Sequence, residues 1–333
     1  MNNAEETGID KFPLSSHNTE QIEKIVFRPE RIAPMFEFTA QMLRRVLALL
    51  ALTGALTQSA PADPDAVRSS QFPWYASLTQ AEKRFDDELY LAPNAVIFLE
   101  EHDEADGPLP CPYILADLYL PDIHSLRAWY ADDPSIPGNE PSEIQDAVRA
   151  VNAAFAVNGD FYTKQGVTAI RNGTILNSCV NGYDLCVLYE DGSMRCFRGW
   201  ELETQDEVNE ALRGAWQAWS FGPILLNEDG SAIADFSDRT IEYLTRDHPR
   251  TAIGYYAPGH YCLLSVSGYQ DDLPGASLEE LSAFFASLGC RRAYNLDGGS
   301  STHVWYHGRE LGFPSRQVRL ADLIYLEDLS SAG

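Results

Sequence analysis

Positive charge is what this chain has least of. Its 24 Lys and Arg stand against 49 Asp and Glu, a formal net charge of −25. Such a surface repels phosphate backbones and anionic lipid, so the composition argues against a nucleic-acid binder. An anionic substrate would need a local basic pocket to overcome the global field. Familiar motifs are missing too: no Gly-x-Ser-x-Gly elbow, P-loop, Gly-x-Gly-x-x-Gly or His-Glu-x-x-His occurs. The seven histidines are scattered, and His248, His303 and His307 show no metal-ligand spacing. There is no internal repeat and no low-complexity tract.

What is present suits a globular protein. The chain has 333 residues, an apolar share of 45% and an aromatic share of 11%, enough for one large domain or two ordinary ones. In "MLRRVLALLALTGALTQSAPADPD", Arg44 and Arg45 precede an uncharged stretch that ends near a cleavage-like Ala60-Pro61-Ala62. The order is that of a signal peptide, and the apolar part is short of the roughly 20 residues that span a bilayer comfortably. Polar residues 1–41 precede it. Either translation starts at Met35 or Met42, or residues 42–62 are an uncleaved anchor; both readings place the protein outside the cytoplasm. Six cysteines fit that compartment. Cys186 and Cys196 flank "EDGS" on facing strands and are the first candidate disulfide.

Residues 63–88, rich in Pro, Ser, Asp and Gln, read as a linker, and the charge run "LEEHDEADG" at 99–107 as a solvated loop. Three helices carry a hydroxyl followed three residues later by Glu or Gln. Ser142 and Gln145 precede the stripe Ile144, Val148, Val151, Phe155. Thr204 and Glu207 precede Val208, Ala211, Leu212, Ala215, Trp219. Ser277 and Glu280 precede Leu281, Phe284, Phe285, Leu288, with Gly289 as the stop. Between them, turn pairs at Asn172-Gly173, Asp191-Gly192, Asp229-Gly230 and Pro258-Gly259 mark hairpins. The pattern predicts an α+β fold: a mixed, largely antiparallel twisted sheet with several hairpins and about three packed helices, in a single catalytic domain over 89–330.

The chemistry-bearing positions are polar residues where buried strands end. In "AFAVNGDFYTKQG", Asn158, Gly159 and Asp160 interrupt an apolar run that aromatics resume at once. In "AYNLDGGSSTHVW", Asn295 and Asp297 share a strand face, and Gly298 and Gly299 open the backbone to close approach and to anion binding by N–H groups. Ser301 adds a hydroxyl and His303 a ring, although a lone histidine is more often structural. In "HPRTAIGYY", Arg250 heads an apolar strand before Thr251 and requires a partner, either a local carboxylate or an anionic ligand. In "SFGPILL", Gly222 opens a strand before Pro223.

Taken in order, "AVNGDFY", "SFGPILL", "PRTAIG" and "NLDGGSST" resemble the phosphodiester glycosidase family, over roughly residues 113–326, and "IRNG" at 170–173 also matches. Three positions depart from the family pattern: Phe221 and Asp160 where Gly is common, and His303 where a small residue is usual. The resemblance implies hydrolysis of a sugar-1-phosphodiester, releasing a sugar and a phosphate monoester, and leaves the sugar open.

The residues fit that chemistry independently. The leaving group is a phosphate monoester whose second pKa is near 6, so it departs without a strong general acid. The site must supply a base or nucleophile and neutralise charge at phosphate. Asp297 is the first choice for the carboxylate and Asp160 the second. Arg250, with Arg171, would hold the phosphate. Asn158, Asn295, Thr251, Gly222, Gly298, Gly299, Ser301 and His303 would line the substrate. No cofactor is required, and Asp and Asn oxygens leave a divalent cation open. The expected partner is a phosphorylated glycan, with membrane contact only through the N-terminal segment. Two other readings stand beside this one: a non-catalytic carbohydrate or cell-wall binding module, and a glycosidase acting on neutral glycans, which would need a proton donor for its leaving group.

Overall fold

The computed structural model describes residues 84–103, 107–136, 140–160, 166–237, 246–270 and 273–329. All lie in one compact unit, Leu52–Gly333. The expectations for 1–41, for 42–62 and for most of the linker fall outside the described residues. Among the described residues, no helix is long and apolar enough to cross a membrane.

Three antiparallel sheets make up the frame. The first, of seven strands, has the order β1 (Arg84–Phe85), β2 (Leu89–Ala92), β3 (Ala95–His102), β4 (Tyr113–Tyr119), β13 (His260–Val266), β12 (Arg250–Ala257), β14 (Arg292–Asn295). The second runs β10 (Met194–Phe197), β9 (Leu185–Tyr189), β11 (Ala215–Trp219), β7 (Ala169–Arg171), β8 (Thr174–Asn177). The third runs β16 (Arg309–Leu311), β15 (Val304–Tyr306), β6 (Ala153–Asn158), β17 (Asp322–Glu327), β5 (Arg127–Tyr130). The α+β expectation holds. Two boundaries move: β1 and the turn after it lie inside the expected linker, and β3 extends through Glu100 and Glu101 of the expected loop.

Strand alternation builds the core. On β17, Ile324 and Leu326 face a central cluster that also takes Ile97 and Leu263 from the first sheet, Leu188 and Trp219 from the second, and Val157 and Val304 from the third. Leu323 and Tyr325 face the other way, onto α1 (Ile144–Ala150). Helix α2 (Gln205–Ala211) covers the second sheet through Val208 and Ala211. Helix α3 (Leu278–Ser287) packs near β12, where a Cβ on Gly254 would lie 2.8 Å from Phe285 and 2.6 Å from the Cys262 sulfur. Each buried Leu, Ile or Phe contributes about 1.5–3 kcal/mol.

Local chemistry explains most starts and stops. Thr204 with Glu207, and Ser277 with Glu280, form reciprocal capping boxes at α2 and α3. At α1 the expected cap is corrected. Glu143 occupies the N-cap without a side-chain bond, and Ser142 instead pairs with Leu320 as a β-bridge. Two helical stripes are also shortened, because Phe155 lies in β6 while Ala215 and Trp219 lie in β11. A spacing of three or four residues carried across a chain reversal mimics one helical face. All four turn pairs are realised, with Asn172 and Gly173 at φ 51° and 76°, as a type I′ turn requires.

The six cysteines are thiols. Cys186 and Cys196 are direct cross-strand partners, as the hairpin reading requires, but the expected disulfide is not formed. Cys262 and Cys290 bring their sulfurs to 3.8 Å.

Candidate active site

Four chain segments converge where β6 and β14 end and β12 begins. The amide of Asn158 is the knot. Its Nδ2 donates to the main-chain oxygen of Asp297 at 2.7 Å, and its Oδ1 accepts from Thr251 Oγ1 at 2.6 Å and from the His303 N–H at 3.3 Å. The Asp297 N–H donates to the Gly159 oxygen, Leu296 to Thr251 and Gly299 to Pro249. The fourth segment arrives through Asn295, whose Nδ2 donates to the Gly222 oxygen at 2.8 Å and whose main-chain N–H donates to Pro223. The Gly222–Pro223 peptide is cis, with Gly222 at φ 83°.

Residue Asp297 is half-buried at this junction. Burial pushes its pKa up to about 6, against hydrogen bonds from the Ser301 side chain and the Gly298 N–H. The two glycines fit the loop against its neighbours. A Cβ on Gly298 would sit 2.5 Å from the Pro249 oxygen, and one on Gly299, at φ 60°, 3.3 Å from the Tyr269 hydroxyl. Asn295 Oδ1, Thr302 Oγ1 and His303 Nε2 are buried with no hydrogen-bond partner. All three lie between the end of β14 and the start of β15, buried hydrogen-bonding capacity that the protein itself leaves unfilled. The Nδ1 of His303 pairs with Glu310.

Asp160 and Arg171 meet, but not at a surface. Arg171 is fully buried and grips Asp322 bidentately, Nε to Oδ1 at 3.0 Å and Nη2 to Oδ2 at 2.8 Å, while Nη2 also reaches Asp160 Oδ1 at 2.6 Å. Its Nη1 donates to the oxygens of Ile170 and Ala218. Five contacts engage five guanidinium N–H groups. The expectation that Arg171 holds a phosphate is therefore corrected: it is spent inside the protein. The Asp160 side chain is equally sealed from solvent, so it belongs to the framework and does not face a substrate. Burial raises both carboxyls, opposed by the Arg171 charge, and Asp160 reaches about 7. Gly159 is needed here because a Cβ would fall 2.0 Å from Asp322 Oδ2.

Arg250 and Thr251 are neighbours on β12 and face opposite sides. The Arg250 backbone borders the Asp297 loop, since its Cα lies 3.5 Å from a Cβ on Gly298. Its guanidinium is buried on the other side, with Nε donating to the Ala276 oxygen at 3.0 Å and Nη2 to the Arg246 oxygen at 2.6 Å. Burial lowers its pKa to about 10, opposed by Tyr269, Asp247 and Glu279.

Two residues escaped the sequence reading. Asp322 begins the strand "DLIYLE" and carries the same signal as the other sites, a carboxylate heading an apolar run. Tyr269 gave no signal, because nothing in "SVSGYQDD" announces that its ring reaches Gly299.

Comparison with known proteins points to one family. The family model for phosphodiester glycosidase matches residues 147–326, just over half of the chain and every segment of the junction. The chain belongs to the phosphodiester glycosidase family. Among curated proteins it is 28% identical over 168 residues to a SPbeta prophage-derived uncharacterized protein, YomE, of Bacillus subtilis. That match covers 49% of this chain and 25% of the relative, so the chain spans about a quarter of its relative's length. Among solved structures, the catalytic domain of zebrafish N-acetylglucosamine-1-phosphodiester alpha-N-acetylglucosaminidase, auto-inhibited by its pro-peptide, superposes with a TM-score of 0.55 at 17% identity. The superposition covers 82% of this chain and 96% of that one. A hypothetical protein from Synechocystis gives a TM-score of 0.52 at 14% identity over 70% of this chain and 62% of its own. At these identities the likeness is one of fold.

Proposed function

We propose that the protein hydrolyses a glycosyl phosphodiester, releasing a sugar and a phosphate monoester, with Asp297 as the reactive carboxylate. The observation carrying this reading is the junction itself: four segments far apart in sequence are tied by Asn158 and Asn295 around the half-buried Asp297. With its pKa near 6, Asp297 is largely ionised at neutral pH yet basic enough to accept a proton from water or attack the anomeric carbon. The phosphate monoester leaves readily because its own second pKa is near 6. Asn158 fixes the Asp297 backbone. The Arg250 guanidinium, buried with its donors on the Ala276 and Arg246 oxygens, is given no part on the phosphate, so that expectation is withdrawn. The Asp160–Arg171–Asp322 cluster holds β6 and β17 in register beneath.

The reading assigns no step to a metal and no role to a cofactor. It includes export, which rests on Arg44, Arg45 and the apolar run that follows them.

The test uses the purified full chain on a panel of sugar-phosphodiesters, UDP-N-acetylglucosamine among them, beside nitrophenyl glycosides. Release of free sugar from the diesters by the wild type, and its loss in folded Asp297→Asn, is the expected result. Glycan binding without release of sugar or phosphate would identify a binding module. Turnover confined to the neutral glycosides would identify an ordinary glycosidase.

A further inference from the structure

Away from the junction, one pair of side chains is placed for a covalent bond that the proposed chemistry does not use. Cys262 on β13 and Cys290 after α3 stand 28 residues apart in sequence with their sulfurs at 3.8 Å, and both are buried. Cys262 lies between Tyr261 and Leu263, which face the central cluster, so its sulfur points to the other side of the sheet, where α3 packs. Cys290 is held against the same spot. Its N–H donates to the Phe285 oxygen, and that of the next residue, Arg291, donates to Tyr255 of β12 at 2.8 Å. Gly254 makes the meeting possible. It is the register partner of Cys262 on one flank and of Ala293, in β14, on the other. A Cβ there would lie 2.6 Å from the Cys262 sulfur and 2.9 Å from the Cys290 sulfur, so the two sulfurs fill the space a β12 side chain would take. The contact straddles β12, from the strand on one flank to the head of the strand on the other.

We propose that Cys262 and Cys290 are the site of a disulfide, closed during folding by a small disulfide oxidant of the glutathione disulfide class. One cysteine thiolate attacks the oxidant's S–S bond and expels a glutathione thiolate; the other then displaces the remaining glutathione from the mixed disulfide. The two cysteines lose two electrons and two protons, and the oxidant leaves as two glutathione thiols. Both sulfurs are sealed from solvent, so the exchange precedes the closing of α3 onto the sheet, and the finished bond resists reductant until the domain unfolds. The bond braces β14, the strand that delivers Asn295 and Asp297 to the junction, against β13 across β12. The inference rests on the proposed export for the compartment in which the bond forms, and not for the reactivity of the pair.

The experiment unfolds and reduces the full chain, refolds it in a glutathione redox buffer, blocks free thiols with an alkylating reagent and maps the peptides by mass spectrometry without reduction. The peptides carrying Cys262 and Cys290 should be recovered joined. The oxidised wild type should also melt roughly 5–10 °C above the same chain refolded in reductant, as closure of a loop of this length implies. Cys290→Ala should lose most of that difference, and the peptide map decides the pairing even if that variant fails to fold. Alkylation of both cysteines, pairing of either with a different cysteine, an oxidised midpoint no higher than the reduced one, or a difference that persists in Cys290→Ala overturns the proposal. The same map on full chain alkylated at harvest, from the cells that make it and their medium, separates the two readings. A pair that closes on refolding but is reduced at harvest leaves the disulfide site standing and removes the export.

Discussion

Asn158 Nδ2 and the main-chain oxygen of Asp297 lie 2.7 Å apart although 139 residues separate them in sequence. This bond joins the end of β6 to the loop after β14 and fixes the backbone that carries the carboxylate proposed as reactive. An amide suits it because Nδ2 donates to Asp297 while Oδ1, on the other arm, accepts from Thr251 and His303.

Replacing Asn158 by Ala should therefore cost more than its size suggests. The Asp297 oxygen and the Thr251 hydroxyl would both lose a buried partner, a loss of about 1–3 kcal/mol. Urea denaturation should show that decrease, and kcat should fall because Asp297 is no longer fixed. A variant with unchanged stability and turnover would show that the knot is incidental.

Gly159→Ala should be the most damaging conservative change in the junction. The added methyl would enter the space of the Asp322 carboxylate, 2.0 Å from Oδ2. Displacing Asp322 from Arg171 breaks a buried ion pair, at a cost of about 3–5 kcal/mol. Equilibrium unfolding, or failure to recover folded protein, measures it.

Stability should depend on pH through the same cluster. Burial raises the carboxyl of Asp160 from its ordinary value to about 7 in the folded protein. A raised carboxyl pKa means that the unfolded chain ionises first as pH climbs. The contribution of this group is fully present below about pH 4 and is lost as pH rises to about 7. Asp160→Asn should then flatten the decline in unfolding free energy across that interval. An identical pH profile in wild type and variant would contradict it.

Catalysis should titrate in the opposite sense. Asp297 acts ionised, so kcat/KM should be level above about pH 6 and fall roughly tenfold per pH unit below it. The limb should disappear from the residual activity of Asp297→Asn. A rate that increases on acidification would place the essential group elsewhere.

Much of this protein was legible in its sequence, for identifiable reasons. The capping boxes at Thr204 and Ser277 and the turn at Asn172-Gly173 are local chemistry, decided within four residues. The strand-end polar groups were visible because Asn158, Asn295, Asp297 and Arg250 each interrupt an apolar run, and the fold brings those ends together. What could not be read was direction. Nothing local tells whether Arg171 points to solvent or to Asp322, 151 residues away. Strand parity separates Arg250 from Thr251, yet only tertiary packing decides which face borders the substrate. The overlong helical stripes failed where Phe155 and Trp219 fell in strands, since apolar spacing does not register the turn between.

The central claim is tested most directly by mixing the full-length protein with a sugar-1-phosphodiester and measuring free sugar and phosphate monoester together, for the wild type and Asp297→Asn. Equimolar release of both by the wild type, with at least a thousandfold loss (about 4 kcal/mol of transition-state stabilisation) in a variant that still folds, is the predicted result. Full turnover by folded Asp297→Asn would contradict the account.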